Sequence, residues 1–130
     1  MLRLLLDSHI SNRVAEQIER RPAEHSAISL NTWRGGSYRC APDGATLIAA
    51  RAEKLTLVTY DIQTIPIMVH SWYRAGQDHA GVVLVSHRTI ASDDSGGLVR
   101  AVTNLLENAG HQEWINRVVF LLPAKHEDRQ

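Results

Sequence analysis

A chain of 130 residues, 44% hydrophobic and 22% charged, holds enough apolar material for one core and too little length for a second, so a single domain over residues 1–123 is expected. A formal net charge of zero at pH 7 provides no molecule-wide field to draw in a polyanion, so a nucleic-acid partner would need a local patch. The single cysteine, Cys40, excludes an internal disulfide and a multi-thiolate zinc site within one chain.

The first apolar stretch, "LRLLLD" (2–7), has almost no polar alternation and reads as a strand buried on both faces. As "MLRLLLD" it is broken by Arg3 and stopped by Asp7, which spoils it as a signal peptide. No apolar run approaches the ~20 residues of a bilayer span, so a reduced, cytoplasmic setting without membrane contact is expected. A helix over 11–21 places Val14, Ala15 and Ile18 on one face and is closed by Pro22. "SAISL" (26–30) is a second strand, and "NTWRGGSYRCAP" (31–42) is a loop by its glycines and prolines. A helix over 43–54 is expected to bury Ala45, Ile48, Ala49 and Ala52, and "LTLVT" carries the next strand to Thr59. Ile65, Met68, Val69 and Trp72 recur at helical spacing over 65–74, and "GVVLVS" (81–86) is the clearest buried strand. A last helix over 95–109 carries Leu98, Val99, Val102, Leu105 and Leu106, followed by the strand "RVVFLLP" (117–123) and a charged, loose tail, 124–130. Strands separated by single helices require crossover connections. The expected fold is therefore α/β, a three-layer α/β/α sandwich with a mainly parallel central sheet.

In such a sheet, ligands bind beyond the carboxyl ends of the strands. Asp7 and Asp61 stand at strand ends and Asp43 opens a helix, so all three fall at that edge. Three carboxylates there repel by roughly 1–4 kcal/mol per close pair, a conflict that a divalent cation removes. Aspartate is also a favoured helix cap, stabilising by ~1 kcal/mol, and Asp43, directly after Pro42, reads as one. Thr64, followed by Ile65 and Pro66, can open its helix without Asp61, and Ser8 or Ser11 can do the same for Asp7.

Other chemistries lack their motifs: there is no GxxxxGK[ST], GxGxxG, HExxH or nucleophile-elbow sequence. His9, two residues from Asp7, is placed to touch substrate or move a proton, and His70 shares a helix with an apolar stripe. In "WRGGSYR", Trp33 and Tyr38 could stack on bases while Arg34 and Arg39 meet phosphates; the other use of this loop is to fold its aromatics back onto the domain.

With both strand-end aspartates in place, "LLLDSHISNRVAEQI", "APDGATLIAARAEKLTLVTYDIQTI" and "HAGVVLVS" resemble, in order and spacing, segments of PIN-like proteins, and more closely the small stand-alone group related to the Mut7-C domain. The likeness spans residues 2–106. It implies a metal-dependent endoribonuclease in which Asp7, Asp43 and Asp61 hold Mg²⁺ or Mn²⁺ and act as the catalytic acids. Thr59 then matches the hydroxyl residue two positions before the third acid, where it orients a ligand. The resemblance further implies RNA as substrate and suits the toxin half of a toxin–antitoxin pair with an antitoxin or other protein partner; a homodimer is a separate candidate assembly.

Two positions depart from that pattern. Ser8 stands where a second acid often follows the first, and Gln63 where one follows Asp61; losing a carboxylate charge weakens affinity for a hard cation. Asp78 is a candidate for the missing acid. The alternative that follows is a PIN-like binding or interaction module without catalysis. A receiver-like phosphoacceptor shares the architecture but needs a lysine near its aspartate, and the only lysines are Lys54 and Lys125.

Overall fold

The computed structural model describes residues 2–20 and 26–124; the expectations placed on Arg21, Pro22, Lys125 and the rest of the tail lie outside the described residues. Strands and helices alternate as β1 (Arg3–Leu6), α1 (Asn12–Glu19), β2 (Ala27–Ser29), α2 (Asp43–Ala52), β3 (Leu55–Thr59), α3 (Ile65–Ala75), β4 (Val82–Leu84), α4 (Ser95–Ala109) and β5 (Val118–Phe120). The five strands form one sheet in the order β2-β1-β3-β4-β5, and every neighbouring pair is parallel.

The uninterrupted leucines of β1 have a simple cause. Leu4 and Leu6 point to one side of the sheet and Leu5 to the other, and both sides are covered. The first side meets α1 and α4 through Val14, Ile18, Leu98 and Val102. The second meets α2 and α3 through Leu47, Ala50, Ile65 and Val69. These two apolar clusters make the domain a three-layer sandwich.

Local signals set the helix ends. The Ser11 hydroxyl accepts the Arg13 N–H at 3.2 Å at the start of α1, Asp94 accepts the Gly97 N–H at 2.9 Å at the start of α4, and α3 stops at Gly76 with φ 77°. Helix α2 departs from its expected stripe. It buries Thr46, Leu47, Ala49 and Ala50, while Ala45 and Ala52 are exposed and Ile48 is 56% exposed. Alanines mark a face weakly because they gain little by burial, and Leu47 decides the orientation by filling the space above β3.

At the amino edge of the sheet, Gly81 enters β4 with φ 106°, and a Cβ there would lie 2.7 Å from the Trp114 carbonyl oxygen. Trp114 itself is buried, its indole N–H donating to the Ala109 carbonyl at 3.0 Å. Strand β5 is an outer strand whose Val118 and Phe120 lie half open to solvent beside Val82 and Leu84. Among the described residues no helix is long and apolar enough to cross a membrane.

Candidate functional site

The strand order reverses at the β1–β3 pair, which is where a doubly wound sheet opens a crevice at its carboxyl edge. Leu6 pairs with Val58, and the Asp7 N–H continues the ladder to the Val58 carbonyl at 2.9 Å. The chains therefore leave the two strands side by side, with Asp7 and Asp61 just beyond the sheet.

Thr59 ties these exits together. Its hydroxyl donates to Asp7 Oδ2 at 2.6 Å and accepts the Asp61 N–H at 3.0 Å, in a position only 1% exposed. The other Asp7 oxygen accepts the Ser8 N–H at 2.7 Å. Removing the hydroxyl alone leaves a carboxylate oxygen without its donor and an amide without its acceptor. Thr59→Val is therefore expected to cost about 1–3 kcal/mol in urea denaturation, whereas Thr59→Ser should lose only the roughly 1 kcal/mol of a buried methyl. A valine variant as stable as wild type would show that the bridge contributes nothing.

Asp61 and Asp43 exchange the uses expected of them. Asp61 Oδ1 accepts the N–H groups of Gln63 at 3.2 Å and Thr64 at 2.9 Å, and Oδ2 accepts the Thr64 hydroxyl. It thus forms an Asx-type turn leading into α3, while the Thr64 side chain caps no helix N–H. The Thr64 hydroxyl, and next its amide, hold the Asp61 carboxyl below the usual carboxylate range. Asp43, expected as a cap, is instead the first residue of α2, with Pro42 before it as the cap position. Burial, then the charges of Asp61 and Asp7, push the Asp43 carboxyl above its ordinary value. Those two causes tie all three acids to one electrostatic neighbourhood.

A cleft of 560 Å³ joins them, lined by Asp7, His9, Asp43, Tyr60, Asp61, His87 and Ser92. No lysine or arginine belongs to that lining, and among the described residues none of the three carboxylates is in a salt bridge. Tyr60, His87 and Ser92 escaped sequence reasoning. The strand-end rule that selected Asp7 and Asp61 also selects the residues following β4, because β4 lies next to β3, and so would have found His87. The Tyr60 hydroxyl donates to the Ile90 carbonyl at 2.8 Å, and burial, aided by Asp94 and Asp93, pushes its pKa up to about 12. The His87 ring stacks on Tyr60, with centroids 4.3 Å apart and planes inclined by 21°.

Several expected residues lie elsewhere. Gln63 is exposed and offers the site only its backbone N–H, to Asp61. Asp78 precedes β4, at the opposite edge of the sheet, where it pairs with Arg51 at 3.4 Å and accepts the Asn116 amide at 2.8 Å; it is not the missing acid. Lys54 precedes β3 at that same far edge. The "WRGGSYR" loop folds inward: Trp33 is 5% exposed and its centroid lies 5.1 Å from that of Tyr38. Arg34 lies over both rings, 4.8 Å from the Trp33 centroid and 5.6 Å from that of Tyr38, and bonds Glu53 at 2.7 Å, while the Trp33 indole N–H also reaches Glu53. These partners occupy Trp33, Arg34 and Tyr38, so the expected base-stacking arm is absent and only Arg39 stands free of this packing.

The donor chemistry of the cleft suits a hard divalent cation, being carboxylate oxygen without competing ammonium or guanidinium. Its spacing is looser: among the described residues no three His, Cys, Asp or Glu side chains stand close enough together to hold one ion. Compared with known proteins, the chain gives no significant match to a family model, to a curated protein or to a solved structure.

Proposed function

We propose that the chain is a PIN-like, divalent-metal-dependent endoribonuclease, acting as the toxin of a toxin–antitoxin pair. The observation that carries this reading is the opening of Asp7, Asp43 and Asp61 into one cleft at the β1–β3 switch point, with no lysine or arginine in its lining. The toxin role rests on the sequence resemblance to small stand-alone PIN-like proteins alone.

Asp7, Asp43 and Asp61 would hold Mg²⁺ or Mn²⁺ together only after closing the wider spacing they have here, and such an ion, when bound, supplies hydroxide from water and offsets charge gathering on a phosphate. The chain's own contributions follow from its contacts. Thr59 fixes Asp7 relative to Asp61, so two of the acids are oriented before any substrate arrives. Asp43 has no bond in the turn network that holds Asp61 and is the acid best able to adjust. His9 lies in the same lining and is the group that can give a proton to a leaving oxygen.

Purified protein is expected to cleave single-stranded RNA in Mn²⁺ or Mg²⁺ and to stop on addition of a chelator, with activity restored when the metal is returned. Cleavage that continues undiminished in excess chelator would sink the metal-dependent reading.

A second reading, a PIN-like interaction module without turnover, is favoured by the engagement of Asp61 in its turn and by the absence of a three-ligand group among the described residues. It predicts no specific Mn²⁺ binding by calorimetry while RNA or a protein partner still binds.

A further inference from the structure

The Tyr60–His87 pair lines the same cleft as the three acids and answers a different need. A cleft that holds three carboxylates and no lysine or arginine repels the phosphates of a polynucleotide. A cation offsets part of that repulsion at the reacting phosphate. A contact that does not depend on charge, such as stacking against a nucleobase face, escapes that repulsion.

Tyr60 is only 8% exposed, and its hydroxyl is anchored to the Ile90 carbonyl at 2.8 Å, so its ring is a fixed base. His87 lies nearly parallel upon it, at 4.3 Å and 21°, while remaining exposed in the cleft lining. A ring held flat against a fixed ring presents its outer face in the same plane, ready for a third ring at a similar spacing. The aromatics expected to do this work, Trp33 and Tyr38, are packed against each other and Arg34.

We infer that the outer face of His87 is a nucleobase-stacking platform, on which one base of a single-stranded RNA substrate lies while Tyr60 supports the ring from beneath. This rests on the nuclease reading of the cleft and names how its substrate is gripped. Unpaired bases can reach such a platform and bases within a duplex cannot, so the substrate class is single-stranded RNA.

The test uses a phosphorothioate RNA, resistant to cleavage, carrying one 2-aminopurine, whose fluorescence falls on stacking. Wild type in Mg²⁺ is expected to bind it and quench the probe. His87→Ala should weaken binding on the order of 10-fold to 100-fold and abolish the quench, and His87→Phe should restore both. His87→Gln should fail like alanine; rescue by glutamine but not phenylalanine would mean that the residue acts by hydrogen bonding and would overturn the stack. An alanine variant with wild-type affinity and quench would also overturn it, while leaving the nuclease reading intact if ordinary RNA is still cleaved. Wild type that neither binds nor cleaves single-stranded RNA would overturn both.

Discussion

Asp43→Asn is expected to lower metal-dependent RNA cleavage on the order of 100-fold or more, about 2.7 kcal/mol or more of transition-state stabilisation, while leaving the fold at least as stable as wild type. The combination is diagnostic because an ordinary structural aspartate behaves in the opposite way. Asp43 makes no cap bond in α2, and its carboxyl is pushed up by burial and by the charges of Asp61 and Asp7. A carboxyl whose folded value lies above its unfolded value, near 3.8, opposes folding when ionised. That penalty is absent in strong acid, sets in as pH climbs through the folded value, and persists at neutral pH. The asparagine variant escapes it, so its stability should fall less than that of wild type between acid and neutral pH. Because the Asp43 carboxyl is only partly shielded and the residue keeps much of its surface in solvent, the gain should stay within ~0.5 kcal/mol. Urea midpoints measured across pH, together with cleavage rates, check both halves. A variant that cleaves at the wild-type rate would remove Asp43 from the catalytic set.

The largest stability loss is expected from Gly81→Ala, at about 3 kcal/mol or more. Two costs combine. The φ of 106° is a conformation that side chains with a Cβ rarely adopt, and the added carbon would lie 2.7 Å from the Trp114 carbonyl oxygen and 3.2 Å from Thr56 Cγ2. The first obstacle is backbone and the second is a buried strand, so neither yields easily. Gly76→Ala makes a useful companion, because Gly76 shares a positive φ, 77°, but has open space around it and should show the backbone cost alone. Equal losses at the two positions in denaturant unfolding would show that the close approach to Trp114 has no weight.

Much of the fold was legible because it rests on dense local signals. The run of leucines in β1 announced a strand covered on both faces, and α4 spans 95–109 as expected. Helix α2 was misoriented because three of its four expected inward residues were alanine, a residue nearly indifferent to burial. At the cleft, the three acids were placed at one edge by topology alone, yet their individual uses were not. Whether a carboxylate turns back to its own chain depends on the backbone angles of the next three residues. Thr64 looked like an independent cap, but its hydroxyl donates to Asp61. Trp33 was equally ambiguous: an aromatic beside glycines looks exposed until the apolar cluster that buries it and the Glu53 carboxylate that takes its indole N–H are known. His87 carried no local motif and became visible only through the adjacency of β3 and β4.

The turn at Asp61 also makes the cleft self-reporting. The carboxylate that faces the cleft is the one that protects the amides of Gln63 and Thr64. A cation drawing on Asp61 must share it with those two N–H groups or take it from them. Their hydrogen-exchange rates thus become a built-in gauge of occupancy, readable by mass spectrometry or NMR without knowing the substrate. The amides along α4, outside that turn, serve as the unmoved reference.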